Sequence, residues 1–447
     1  MIFTRLTYIF IWSALFFSTI ACVNHKSDNN DTHEQELEEE AILNSLLSYV
    51  GTEVTPKEEI SGITLSDFEK DILLKENELA FNNLLEIYKS NKESVVYSPL
   101  SLYYLLGMAY SGSSGNTLVQ FCDFTGFSKH HAETNGFFKK LLQGLRALDL
   151  SVSLSASNII AINNKAIYGV SEDYKKNLAN NYEAIVADFD FSQNVLLAKV
   201  LNAWTSKHTN GLIDNLFDKT SFSKNQLLML VNALFIKGQW NPGFLDNLTK
   251  TDSFTRDDGT IIPLYFMNDN EKRLYGKTNN YSLLTLNVGR KNNHFGFTII
   301  LPNKDRNVSE TLSLLRDKNW KEQLSICKEE NVRISIPKFS IKGSNYFKDY
   351  LVKKGITDAF DQKHADFSLI TSGKKSVFFL NNIIQKNQIS IDEKGIEAAS
   401  ATAIHYTYGI DPKEINVEFM ANRPFIYVIS DLDSGIILFS GVFAGEA

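Results

Sequence analysis

Near its C-terminal end the chain carries a stretch that few folds could accommodate. Strand-like Gln388-Ile389-Ser390-Ile391 leads into Asp392-Glu393-Lys394-Gly395-Ile396-Glu397, and every residue from Ala398 to Thr402 is Ala, Ser or Thr. These side chains are too small for a core strand and too apolar for an ordinary loop. Read with period two, one face holds Ile396, Ala398, Ser400, Thr402, Ile404, Tyr406 and Tyr408, without charge. The other holds Glu397, Ala399, Ala401, Ala403, His405 and Thr407, and no proline occurs before Pro412. Such a pattern lets the segment join a sheet as a strand. An alanine-rich helical loop is the competing reading, because alanine has the best helix propensity.

The surrounding chain mixes helices and strands. Ser66-Asp67-Phe68-Glu69 is a capping-box pattern and opens an amphipathic helix to about Ser90. Val95-Val96-Tyr97 reads as a short strand. Ser98-Pro99 then starts a second helix, with serine as cap and proline where its missing amide costs nothing, ending in the Gly112–Gly115 turn. Helical periodicity places further helices near 117–124, 130–149, 172–181, 194–209, 308–320 and 344–354. Strand-like runs lie at 154–162, 184–191, 226–236, 283–288, 294–301, 331–336 and 376–391. At the end, Ile415–Phe419, Phe425–Ser430 and Ile436–Phe443 read as strands, the last two joined by the turn Asp431–Gly435. There is no strict βαβ alternation, so the expected class is α+β with large antiparallel sheets. No linker divides the body, so one domain is expected from residue 66 to 447.

The N-terminal end describes location. Arg5 precedes Leu6 to Ala21, 16 residues without charge, and then Cys22. That is a secretory signal, residues 1–21, rather than a span, which needs about 20 apolar residues. Thr19-Ile20-Ala21-Cys22 resembles a bacterial lipoprotein cleavage site, with Cys22 as lipid anchor. Residues 22–65 would then be an acidic tether. Asp28, Asp31, Glu34, Glu36, Glu38, Glu39 and Glu40 account for the whole net charge of −7, as a solvated tail would. The rest of the chain is near neutral, which argues against nucleic acid, since a binder needs a basic face to replace counterions. Cys122 and Cys327 are expected to be free thiols.

Catalytic constellations are missing. Gly276-Lys277-Thr278 lacks the earlier glycine of a phosphate loop, since Glu271 stands there. His33-Glu34 is followed by Leu37 where a second zinc-binding histidine belongs, and Gly112-Ser113-Ser114-Gly115 has the wrong spacing for a nucleophile elbow. Asp431-Leu432-Asp433-Ser434-Gly435 resembles the opening of a calcium loop but lacks its closing glutamate. No enzyme, cofactor or metal is expected.

Several motifs agree on a family. They are Glu78-Leu79-Ala80-Phe81 with Val96-Tyr97-Ser98-Pro99-Leu100-Ser101; Asn202-Ala203-Trp204 with Thr209, Gly211 and Ile213; Val231-Asn232 through Gly238-Gln239-Trp240; Val332 through Pro337-Lys338-Phe339; Asp392 to Gly395 with Ala398-Ala399; and Arg423-Pro424-Phe425. In this order and spacing, from about residue 67 to 443, the chain resembles the serpins.

The resemblance implies a serpin fold with large mixed and antiparallel sheets, about eight to nine helices and an exposed reactive loop. It implies suicide inhibition of a serine protease, sometimes a cysteine protease: the loop is cleaved, the acyl-enzyme is trapped, and the loop inserts into the main sheet. Glu393, Gly395, Ile396, Glu397, Ala398, Ala399, Ser400, Ala401 and Thr402 would form the hinge. Ile396 departs from the small hydroxyl residue usual there. Ser98, Asn232, Trp240 and Gln385 would support sheet opening, with Gln385 where many relatives carry histidine. The usual hinge length puts the scissile bond between Gly409 and Ile410, suiting an elastase-like protease. A one-residue shift uses Tyr408 and suits a chymotrypsin-like one; Lys413 would need a longer loop. Lys139, Lys140 and Arg146 are the only basic concentration where heparin would bind, and a solvated face is the favoured reading. The expected protein is an exported monomeric inhibitor; the alternative is a non-inhibitory serpin acting as a binding protein.

Overall fold

The computed structural model describes residues 41, 56–164, 169–209, 211, 215, 217–222, 228–290, 294–371, 378–381, 383–396 and 415–445. Contacts divide the chain into Met1–Ser48 and Tyr49–Ala447, and the fold below is that of the second unit.

The local signals set the helix starts. Helix α1, Asp67–Asn91, opens on the expected capping box: Glu69 N donates to Ser66 Oγ at 3.3 Å and Ser66 N to Glu69 Oε2 at 2.7 Å. Strand β1, Val95–Tyr97, leads into α2, Pro99–Ser111, capped by Ser98 and buried along its whole length. A helix with no polar stripe can only sit inside the body. Helices α3, Gly115–Thr125, and α4, His131–Leu148, pack beside it. Strand β2, Ser153–Asn163, helix α5, Glu172–Tyr182, strand β3, Ala184–Phe189, and helix α6, Asn194–His208, follow as read from periodicity.

Strand β4, Leu228–Gln239, begins the second half. Strands β5, Lys250–Thr255, and β6, Ile261–Lys277, escape the sequence reading. The charges of Asp269, Glu271, Lys272 and Arg273 disguise β6 as a loop. Arg273 is buried, pairing with Asp269 at 2.6 Å and donating to the Pro242 carbonyl at 3.1 Å. Strands β7, Tyr281–Val288, and β8, Phe295–Pro302, come next. The helix expected over 308–320 is broken in two. Helix α7 spans Val308–Leu315, and α8, Trp320–Leu324, restarts where Asn319 caps it by accepting from Lys321 N at 2.9 Å. Strands β9, Lys328–Pro337, and β10, Phe339–Tyr346, precede α9, Lys348–Lys353, so the start of the helix expected from 344 is strand instead. Strand β11 covers only Ile384–Asp392 of the apolar run 376–391. Strands β12, Gly395–Ile396, β13, Val417–Met420, β14, Phe425–Asp431, and β15, Ile437–Phe443, complete the chain.

The described residues form nine α-helices and two mixed sheets. A nine-stranded sheet runs β1-β15-β14-β8-β7-β6-β9-β13, with β5 paired to β6. A six-stranded sheet runs β10-β11-β12-β4-β2-β3. Most pairs are antiparallel; β13 with β9 and β2 with β3 are parallel. This is the expected α+β class.

Aromatic rings join the two sheets. Phe339 of the smaller sheet stacks on Phe443 at 4.7 Å and lies 5.6 Å from Tyr427, which stacks on Phe297 at 5.6 Å. Trp240, just beyond β4, meets Phe297 edge-on at 5.7 Å. Contacts with the body begin before Ser66: Ile60 N donates to Ala147 O at 2.9 Å, and Ile63 and Leu65 pack on the core. Because Phe339 of the smaller sheet contacts both Phe443 and Tyr427 of the larger, Phe339→Ala should lower unfolding free energy by about 3–5 kcal/mol, read from denaturant unfolding.

Candidate functional site

The six-stranded sheet has a seam. Strand β10 pairs with β11 over eight residues, and β2 with β4 over ten. Between β11 and β4, by contrast, the described residues place only the two-residue β12, with Ile391 opposite Ile396 on one side and Gly238 opposite Ile396 on the other. Among the described residues, no pairing joins β11 directly to β4. At the opposite end of the seam a cavity of about 230 Å³ opens between Leu228–Val231 of β4 and the start of β11, lined also by Leu105 and Phe222.

The upper end is clasped. Asp392 Oδ1 accepts the amides of Lys394 and Gly395 at 2.8 and 3.2 Å, which turns the chain into β12. Gly395 has φ 156°, and a Cβ there would stand 2.0 Å from the Gly238 carbonyl oxygen, so only glycine lets the strands close on each other. Trp240 Nε1 donates to the Asp392 carbonyl at 2.7 Å, and its amide donates to the Lys394 carbonyl at 3.1 Å. Glu393 is buried. Its carboxylate accepts from Thr249 Oγ1 at 2.7 Å and from Lys338 Nζ at 3.0 Å. Burial alone would raise this carboxyl; the bonds from Thr249, its own backbone and Lys338 outweigh burial and hold it below the usual range.

Lower down, the first turn of α2 bridges the seam. On the β11 side, Gln385 Nε2 donates to the Ser98 carbonyl at 2.7 Å, Ser98 N donates to Gln385 Oε1 at 3.1 Å, and Asn387 Nδ2 donates to the same oxygen at 2.7 Å. On the β4 side, Ser101 Oγ donates to Asn232 Oδ1, and Asn232 Nδ2 donates to Asn158 Oδ1 at 2.8 Å. Asn158 passes the chain on to the Tyr182 carbonyl at 2.6 Å. Ser98 Oγ also donates to the Leu438 carbonyl at 2.7 Å, tying the bridge to the other sheet.

The structure therefore brings Ser98, Asn232 and Gln385 to one polar cluster, and Trp240, Glu393, Gly395 and Ile396 to the upper end. The remaining hinge residues Glu397, Ala398, Ala399, Ser400, Ala401 and Thr402, the reactive-bond candidates Tyr408, Gly409 and Ile410, and Cys22 lie outside the described residues. Sequence reading missed Ser101, Asn158, Asn387, Thr249 and the role of Lys338. A lone asparagine inside the apolar run 154–162 was a usable signal for Asn158; nothing local marks Thr249. The basic patch dissolves on inspection. Arg146 is buried against Glu183 at 2.6 Å, and Lys140 pairs with Glu69 at 2.5 Å. Both thiols are free, Cys122 buried and Cys327 half-buried.

The clasp sets a pH dependence. The Glu393 carboxyl is depressed in the folded state, so its contribution is complete above the ordinary glutamate value of 4.5 and is lost as pH falls through the folded value. Glu393→Ala should cost about 1–3 kcal/mol at pH 7, Lys338 being partly solvent-screened. The gap from the unmodified protein should narrow at pH 3, as read by parallel denaturant titrations.

The serpin (serine protease inhibitor) family profile matches residues 74–445. An uncharacterized serpin-like protein of Methanosarcina acetivorans is 28% identical over 384 residues, covering 83% of this chain and 86% of that one. Among solved structures, a highly specific serpin of the insect Tenebrio molitor superposes with a TM-score of 0.74 at 26% identity, covering 86% of this chain and all of that one. The native-state structure of the thermophilic serpin tengpin gives 0.75 at 25% identity, covering 87% of this chain and 97% of that one. Fold, seam and family profile agree over nearly the same residues, and the chain belongs to the serpin family.

Proposed function

We propose that this serpin is an inhibitory member that traps a serine protease as an acyl-enzyme by inserting its cleaved loop between β11 and β4. The observation that carries this reading is Ile396, already paired on both sides at the mouth of the seam. Continuing from Ile396, Ala398 would fall opposite Ile236 and Ile389, Ser400 opposite Leu234 and Asn387, and Thr402 opposite Asn232 and Gln385. Small apolar residues would thus meet apolar neighbours, and the two hydroxyls would meet the amides of the polar cluster. A charge on this face would cost on the order of several kcal/mol, and a proline would delete ladder bonds; from Ile396 to Tyr408 this face carries no charge, and no proline occurs before Pro412.

The loop sequence supports cleavage after Tyr408 or Gly409, hence a chymotrypsin- or elastase-like target, with cysteine proteases as a further class. Mixing the protein with chymotrypsin, elastase, trypsin and subtilisin should give, with at least one, a denaturant-resistant band near the summed masses. The released peptide fixes the scissile bond. Thr402→Arg, which puts a charge against Asn232 and Gln385, should abolish the band while leaving loop cleavage intact. Clean cleavage with no band for the unmodified protein, across these and a cysteine protease, would favour the binding-protein reading.

The N-terminal pattern supports export, with acylation at Cys22 and tethering by the acidic segment. The full chain should then partition into detergent, and Cys22→Ser should move it to the aqueous phase. An unchanged distribution would favour plain secretion.

A further inference from the structure

The aspartates of the β14–β15 turn acquire a partner that sequence alone does not reveal. Strands β14 and β8 pair with Asp431 opposite Phe295, and Leu432 N donates to the His294 carbonyl at 2.7 Å. Backbone bonds therefore press His294 against the turn. Its side chain is only 4% exposed, and its Nδ1 faces Asp433 Oδ2 at 3.1 Å and Asp431 Oδ1 at 3.8 Å. One donor atom from each residue lies within 4.8 Å of the others. Nδ1 is buried and, apart from these two carboxylates, faces no hydrogen-bond partner among the described residues. Asp431 is fixed in place: its Oδ2 accepts the amide of Ser434 at 3.0 Å and the Ser434 hydroxyl.

We propose that His294, Asp431 and Asp433 form a binding site for a divalent ion of the zinc class. A buried ring nitrogen facing two carboxylates is costly unless a proton or a cation lies between them. Donors held about 2.1 Å from a tetrahedral ion stand about 3.4 Å apart, and the two measured separations from Nδ1 bracket that spacing. One imidazole nitrogen with two carboxylates suits zinc and its neighbours, whereas calcium and magnesium take oxygen donors. Asp433 is two-thirds exposed, so water can complete the shell. A bound ion would fasten the residue preceding β8 to the β14–β15 turn.

The test is equilibrium dialysis of the full chain against Zn²⁺, alongside Asp433→Asn and His294→Gln. Asp433 is exposed, so Asp433→Asn is expected to fold even if the buried His294→Gln does not. The histidines elsewhere, including His25 and His33 beside the acidic run, contribute equally to all three proteins. The expected result is one zinc bound by the unmodified protein with at least about tenfold higher affinity than by Asp433→Asn, and a zinc-dependent rise in melting temperature that Asp433→Asn lacks. Identical isotherms for the unmodified protein and Asp433→Asn, or equal stabilisation by Ca²⁺ and Zn²⁺, would overturn the proposal.

Discussion

Ser98 and Ser101, in the first turn of α2, take over work that a backbone ladder does elsewhere in the six-stranded sheet. A full ladder between β11 and β4 would be long and cooperative. Among the described residues a few side-chain bonds through Gln385 and Asn232 stand in its place, each worth about 1 kcal/mol net. That is enough to hold two strands in register and too little to lock them together. Ser98, Ser101 and Gln385 are buried, so these groups cannot turn to water, and their cheapest alternative is another polar partner delivered into the same space.

What surrounds the seam is built differently. Helix α2 has no exposed residue, and the rings of Trp240, Phe297, Tyr427, Phe339 and Phe443 run in contact from one sheet to the other. Close-packed apolar interiors resist small displacements. A rearrangement of the kind proposed would be least costly at the boundary where polar side chains bridge the strands, with this packed floor beneath it.

Part of this was readable in the sequence where the signal is local. The capping box at Ser66 and Glu69 and the Ser98-Pro99 helix start depend on neighbours within a few residues. Strand β6 was not readable, because Arg273 and Asp269 look solvent-facing until the fold buries them as a pair. The clasp was not readable either, since Glu393 draws Lys338 and Thr249 from far away in the chain. His294 shows the same limit: nothing near it in sequence announces Asp431 at the end of β14 and Asp433 in the turn beyond, which the β8–β14 register brings alongside.

The register at Ile396 also fixes a length. Strand β4 extends from Gly238 down to Leu228, so a strand laid from Ile396 reaches its end at Tyr406, eleven positions in all. At about 3.3 Å per residue that is a track of roughly 35 Å, comparable to the width of a small domain. A protease attached just past that point would be carried most of its own diameter. On the proposed mechanism, how far it would travel follows from the dimensions of β4, a part of the protein it would never touch while cutting.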